Sequence, residues 1–181
     1  MANAQTVELN ATAIKNKTKE KSQVSFTVNF KSTGKDTATM MGLTFNPFQN
    51  GRCNTLHIKI NDTNGKVFEK NIIPTNSINP ASTFDGVPNL NTLLPDSFIT
   101  TKVFLYADSR VSGFSNFDSG GEKFDHLPKG DYTAVFTYTV DDLFINGGCY
   151  TNNNNLFIKE KESDIWHGKV VSNTVQFSIT D

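Results

Sequence analysis

The side chains best suited to chemistry in this chain are three histidines, two cysteines and scattered carboxylates, and their spacing decides what they can do. A zinc hydrolase needs several protein ligands around an open position, often with two His one helical turn apart. His57, His126 and His167 form no HExxH and no paired spacing, so that ligand set is missing. His57 falls on the outward face of an extended stretch between Leu56 and Ile58, His126 in a turn, and His167 after Trp166. Solvated or locally bonded imidazoles fit all three better than ligands do. A thiol nucleophile needs a base within hydrogen-bond reach. Cys53 and His57 are separated along an extended segment by roughly 13 Å at ~3.3 Å per residue, too far for that bond.

Phe117-Asp118-Ser119-Gly120 carries the Asp-Ser-Gly of an aspartic protease, but that reaction needs two carboxylates in one site, and no second copy exists. Gly113-Phe114-Ser115-Asn116 lacks the second glycine and the strand-to-helix context of a nucleophile elbow. Asp141-Asp142 and the tract Asn152-Asn153-Asn154-Asn155 offer oxygens, yet no Asp-x-Asp-x-Asp loop spaces them for calcium. The residues therefore point away from an enzyme, and no metal or cofactor is called for.

What remains is binding chemistry. Trp166 could stack on a sugar ring, or serve as the lone core indole, the placement that fits better. Cys53 and Cys149 could form one disulfide or stay as buried thiols. The formal charge of −1 and pI of about 6.3 give no global field for nucleic acid or an anionic membrane. The run Lys15-Asn16-Lys17-Thr18-Lys19-Glu20-Lys21 reads as a solvated turn between strands. No apolar run is long enough to span a membrane. The polar opening Met1-Ala2-Asn3-Ala4-Gln5 shows no signal peptide. A secreted or periplasmic location is expected if Met1 is an addition for expression, and a cytoplasmic one otherwise.

Behind these residues stands a chain suited to strands. Its 181 residues fit a single domain, 1–181, and its abundant Asn, Thr and Ser disfavour helix interiors. Val24, Phe26, Val28 and Phe30 alternate with Ser25, Thr27, Asn29 and Lys31, which predicts a half-buried strand. Leu56-His57-Ile58-Lys59-Ile60 predicts another. Asn64-Gly65 offers positive-φ turn positions, and Lys66-Val67-Phe68 returns antiparallel. Phe98 to Tyr106 alternates through Ile99, Val103 and Leu105. Tyr132 to Val140 is the longest alternating run, and Val175 to Ile179 closes the chain. Val7 to Ile14, Thr39 to Phe45 and Trp166 to Val171 are weaker candidates. Seven to nine strands with turn signals between them predict an all-β fold, an immunoglobulin-like antiparallel sandwich.

Leu127-Pro128-Lys129-Gly130-Asp131-Tyr132 resembles a tyrosine corner, with Tyr132 opening strand F and its hydroxyl bonding back to the turn. Strand G is then Val175 to Ile179, and the F–G connection runs from about Asp141 to Ile165. With Val24–Phe30 as strand B and Leu56–Ile60 as strand C, the B–C connection is long as well. In such a sandwich both connections emerge at one end, where a Cys53–Cys149 bond would staple them. Long connections in compact domains are commonly functional. The expected anchors are Phe48, Arg52 and Tyr150, since aromatics and Arg dominate hot spots, with Asn152 as an adaptable polar contact.

The stretches Leu94-Pro95-Asp96-Ser97, Lys129-Gly130-Asp131-Tyr132-Thr133 and Ser172-Asn173-Thr174-Val175-Gln176-Phe177 carry a family likeness. They resemble the immunoglobulin-like prodomain of deuterolysin-type and peptidyl-Lys metalloendopeptidases, and small sandwich proteinase inhibitors. That resemblance covers about half of the chain and implies a sandwich that docks on a protease and blocks it. The chain departs from the pattern in lacking HExxH and a protease domain and in carrying an Asn-rich insertion and a cysteine pair. The departures leave the partner open, but not the sandwich. The expectation is a non-catalytic module binding another protein, such as a protease, through loops at one end. The alternative is a carbohydrate-binding or adhesin-type sandwich that stacks a glycan on Trp166 or Tyr150.

Overall fold

Alternating apolar and polar residues place one face of a strand in a core and the other in water, and a sandwich buries two such faces against each other. The computed structural model describes residues 7–15, 22–41, 54–72, 90–106, 110–113, 122–123, 125–140 and 166–180 of this chain. They form β1 (Val7–Lys15), β2 (Ser22–Ser32), β3 (Ala38–Met41), β4 (Asn54–Asp62), β5 (Val67–Ile72) and β6 (Leu90–Leu93). The chain continues through β7 (Phe98–Tyr106), β8 (Arg110–Gly113), β9 (Glu122–Lys123), β10 (Gly130–Val140), β11 (Gly168–Val171) and β12 (Val175–Ile179). No helix occurs among the described residues.

One sheet has the order β1-β2-β7-β8-β9, and the facing sheet the order β11-β10-β4-β5 with β12 also on β10. Every pairing is antiparallel, including the small ribbon of β3 with β6. The chain crosses between sheets from β2 to β4, from β5 to β7 and from β9 to β10, the crossovers that make a sandwich rather than a meander. The fold is thus the immunoglobulin-like antiparallel sandwich that the alternation predicts. β6, β8 and β9 are too short to show a period of two and do not stand out in the sequence.

The inward residues of both sheets meet in one core. Phe26 of β2 packs edge-on against Phe136 of β10 and Phe177 of β12, both at 5.2 Å, and Phe30 against Tyr138 at 5.1 Å. Such pairs contribute about 0.5–1.5 kcal/mol beyond the area they bury.

Between Thr137 and Ala134, β10 has two residues, Val135 and Phe136. Opposite them, between Val171 and Val175, lie three: Ser172, Asn173 and Thr174. β11 and β12 are therefore one edge strand interrupted by a bulge. Ser172 repairs the ladder there. Its N–H donates to the Phe136 carbonyl at 2.8 Å, and its Oγ accepts from the Phe136 N–H at 3.0 Å. Asn173 reaches the other sheet. Its Oδ1 accepts from the Ala11 N–H at 2.8 Å, and its Nδ2 donates to the Ala11 carbonyl at 3.0 Å. A side-chain amide thus takes the place of a neighbouring strand along edge strand β1.

The β4–β5 hairpin forms where Asn64-Gly65 predicts a turn, but its geometry differs from a paired positive-φ turn. Of the two residues only Gly65 has positive φ, at 83°. Gly65 N–H donates to the Asp62 carbonyl at 3.2 Å, and Asp62 N–H donates to the Lys66 carbonyl at 3.0 Å. Asp62 Oδ1 accepts from the N–H groups of Asn64 and Lys66, both at 2.8 Å. The aspartate side chain holds the loop, so one left-handed residue suffices.

Candidate functional site

The two ends of the sandwich are built differently. At one end Tyr132 stands near the start of β10, and its hydroxyl donates to the Pro128 carbonyl at 2.6 Å, the bond expected of a tyrosine corner. Its ring lies over Phe177 at 5.4 Å and near Phe68 at 6.5 Å. Burial and, secondarily, the neighbouring Asp62 carboxylate raise the hydroxyl above its usual value of 10.0. Beside it a half-open cleft of about 410 Å³ is lined by Asn61, Asp62, Thr63, Asp131, Thr133, Gln176 and Ser178 over Tyr132 and Phe177. Its carboxylates already have structural work: Asp62 holds the hairpin turn, and Asp131 Oδ1 accepts from Ser178 Oγ at 2.6 Å.

The opposite end gathers the long connections. The register pairs Val140, the last residue of β10, with Asn54, the first of β4, and with Gly168, the first of β11. The connections 42–53 and 141–165 are therefore rooted side by side, as the sandwich predicts for its B–C and F–G loops. A third joins them. Ile72, which ends β5, pairs with Leu56 near the same end of β4, and the segment 73–89 leads from it to β6. Sequence reading missed this third connection because β6 shows no alternation to mark where it stops.

Trp166 closes this end from inside. Its ring stacks on Tyr138 at 5.9 Å with 22° between planes, and its backbone N–H donates to the Thr39 carbonyl of β3 at 2.8 Å. The residue is 8 % exposed and shares the core with Ala38, Met40 and Leu93 of the ribbon. This corrects its candidacy as a sugar platform: the indole is the core residue, and its face is spent on Tyr138. Phe48, Arg52, Cys53, Cys149, Tyr150 and Asn152 lie outside the described residues, and so do Asp118 and Asp141-Asp142. His57 is half-buried and shares a hydrogen bond with Asn71, Nδ1 to Oδ1 at 3.1 Å, as a locally bonded imidazole would. Among the described residues, no group of three His, Cys, Asp or Glu side chains could hold a metal ion.

One described feature of the long-loop end was not foreseen as a contact. Leu94-Pro95-Asp96-Ser97 forms a tight turn in which Ser97 donates to the Leu94 carbonyl twice, from N–H at 3.0 Å and from Oγ at 2.7 Å. Asp96 sits at φ 59°, and the Ser97 carbonyl accepts from Ser32 N–H at 3.1 Å, tying the turn to β2. The turn holds Leu94 59 % exposed, while the preceding Leu93 is fully buried. Leu94 directly follows the last strand residue Leu93, and successive side chains in extended chain point to opposite faces, which was the signal available in the sequence.

No protein-family model and no curated protein matches the chain. A solved structure described as Northeast Structural Genomics Consortium target SoR45 is similar at 15 % identity and TM-score 0.35. The match covers 99 % of this chain and 88 % of that one. No helix among the described residues is long and apolar enough to cross a membrane.

Proposed function

We propose that this chain is a non-catalytic protein-binding module that engages its partner through the end of the sandwich bearing the segments 42–53, 73–89 and 141–165. The observation that carries the reading is their common root: the connections 42–53, 73–89 and 141–165 leave one end, whereas the other end is joined by the shorter 16–21, 63–66, 107–109 and 124–129. A rigid sandwich that displays its long connections together presents a broad composite surface at little ordering cost to the scaffold. The composition of those segments favours recognition, with Phe48, Arg52, Tyr150 and the Asn152–Asn155 tract among them. Leu94 adds an apolar anchor on a turn fixed by its own hydrogen bonds. The resemblance to prodomains and sandwich inhibitors supports an endopeptidase as the partner.

The test is affinity capture from the native cell, run beside a panel of serine, cysteine and metalloendopeptidases titrated for stoichiometric inhibition. Replacing Phe48, Arg52 and Tyr150 together by Ala is expected to abolish capture and inhibition, since hot-spot truncations cost about 2 kcal/mol or more each. A partner retained undiminished by that variant overturns the reading.

A further inference from the structure

The outer face of the β1-β2-β7 sheet carries a pattern that the loop end does not explain. Along β7 the inward residues are Ile99, Thr101, Val103 and Leu105, which leaves Phe98, Thr100, Lys102, Phe104 and Tyr106 on the outside. Three aromatics on the solvent side of one strand are unusual, because polar residues normally take those positions. Phe98 is 67 % exposed, the largest exposure among the large hydrophobic side chains described. The rings of Phe104 and Tyr106 lie 6.3 Å apart and tilted by 37°, so they form one continuous apolar surface. From Phe98 to Phe104 the stripe runs roughly 20 Å at ~3.4 Å per residue.

Polar rows cross this stripe in register. Asn10, Asn29 and Thr100 stand side by side, and Thr100 Oγ1 donates to Asn29 Oδ1 at 2.7 Å, which fixes the plane of that amide. The next rows on either side are Glu8, Lys31 and Phe98, then Thr12, Thr27 and Lys102. Along β7, Phe98 at one end and Phe104 with Tyr106 at the other thus flank one oriented amide–hydroxyl pair and Lys102. A pyranose ring presents an apolar C–H face and a rim of hydroxyls, and this face offers a partner to each. Lys31 and Lys102 outnumber Glu8 among the charged side chains described there, so its charge is opposite in sign to that of the chain as a whole.

We propose that this sheet face binds an extended uronate-bearing glycan lying along β7. Its sugar faces rest on Phe98, Phe104 and Tyr106, and its carboxylates turn toward Lys31 and Lys102. A single-stranded nucleic acid also stacks on aromatics, but the row of Asn10, Asn29 and Thr100 offers amide and hydroxyl groups to a rim of sugar hydroxyls, and the oligothymidylate below tests the alternative.

The experiment is affinity electrophoresis of the full chain in gels containing polygalacturonate or neutral xylan, with an oligothymidylate followed by fluorescence anisotropy. Polygalacturonate is expected to retard the protein more than xylan does, and the oligothymidylate is expected not to bind. Phe98→Ala, at an exposed position that folding does not need, should weaken retention about fivefold, the equivalent of one lost aromatic contact. Lys102→Gln should erase the preference for the acidic polymer, and Leu94→Ser, at the proposed protein-binding end, should change nothing. Absence of retardation, equal retention of the Phe98→Ala variant, a loss caused by Leu94→Ser, or preferential binding of the oligothymidylate would each overturn the proposal. None of these outcomes bears on the loop-end reading, whose own test uses a protein partner.

Discussion

The two ends of this sandwich close the same core by different means. The corner end uses directed hydrogen bonds on short connections: Tyr132 to the Pro128 carbonyl, and Asp62 to the N–H groups of Asn64 and Lys66. The long-loop end uses apolar mass: Trp166 on Tyr138, with the β3–β6 ribbon burying Ala38, Met40 and Leu93. A hydrogen bond fixes geometry but contributes only about 0.5–1.5 kcal/mol net. A buried indole contributes more and tolerates variation in the chain around it, because the hydrophobic effect has no direction. An end closed by a plug can carry long connections without depending on their conformation. Its partner, closed by turns, cannot.

That difference sets the largest expected effect. Trp166→Ala should lower unfolding stability by about 3–5 kcal/mol in urea titrations, the range for emptying a large aromatic site. A cost under 1 kcal/mol would mean that the indole is not the plug and that the two ends are not closed differently. Asn173→Ala comes next, because it removes two hydrogen bonds from Ala11, a 2 % exposed residue on edge strand β1. The loss should be about 1–3 kcal/mol. Amide exchange should quicken at Ala11 ahead of the centre of β2, which a merely global destabilisation would not produce.

The strands that decide the fold were legible because their periods are long: β2 and β10 alternate over many residues, and both sheets are built around them. The common root of the B–C and F–G connections followed from the topology once those strands were placed. What stayed illegible depended on contacts between distant residues. Asn173 meets Ala11 across most of the chain, and no local pattern announces an amide standing in for a strand. Trp166 could be read as plug or platform until Tyr138 and Thr39 were seen around it. The outward aromatics of β7 were half visible, since naming Ile99, Val103 and Leu105 as inward leaves Phe98, Phe104 and Tyr106 outside. The same alternation that buries one face of β7 lays its aromatic complement on the surface.

At the corner end, Tyr132→Phe removes the bond to Pro128 while keeping the ring on Phe177, so about 1 kcal/mol should be lost at neutral pH. The pH dependence separates this bond from simple packing. In the folded chain burial holds the Tyr132 proton above the usual value of 10.0, whereas the unfolded chain releases it there. The stability linked to this group is therefore complete below pH 10 and declines as pH rises through the folded-state value. Wild type should weaken above pH 10 more steeply than Tyr132→Phe in denaturant titrations. Parallel slopes would show that the hydroxyl is not protected by its site.

The smallest stability effect belongs to the long-loop end, and it is the sharpest test of the comparison. Leu94 is exposed on a turn whose hydrogen bonds are made by the Ser97 N–H and hydroxyl and by the Ser32 N–H, none of which involves the leucine side chain. Leu94→Ser should therefore shift stability by no more than about 0.5 kcal/mol, the usual range for a surface substitution. If this end recognises a protein, the same change should still weaken capture of that partner by about tenfold, since an apolar anchor buried in an interface is worth more than 1 kcal/mol. Stability and binding would then separate at one residue, whereas at the corner end Tyr132→Phe should alter stability alone. A Leu94→Ser variant that loses stability and keeps its partner would reverse the assignment of the two ends.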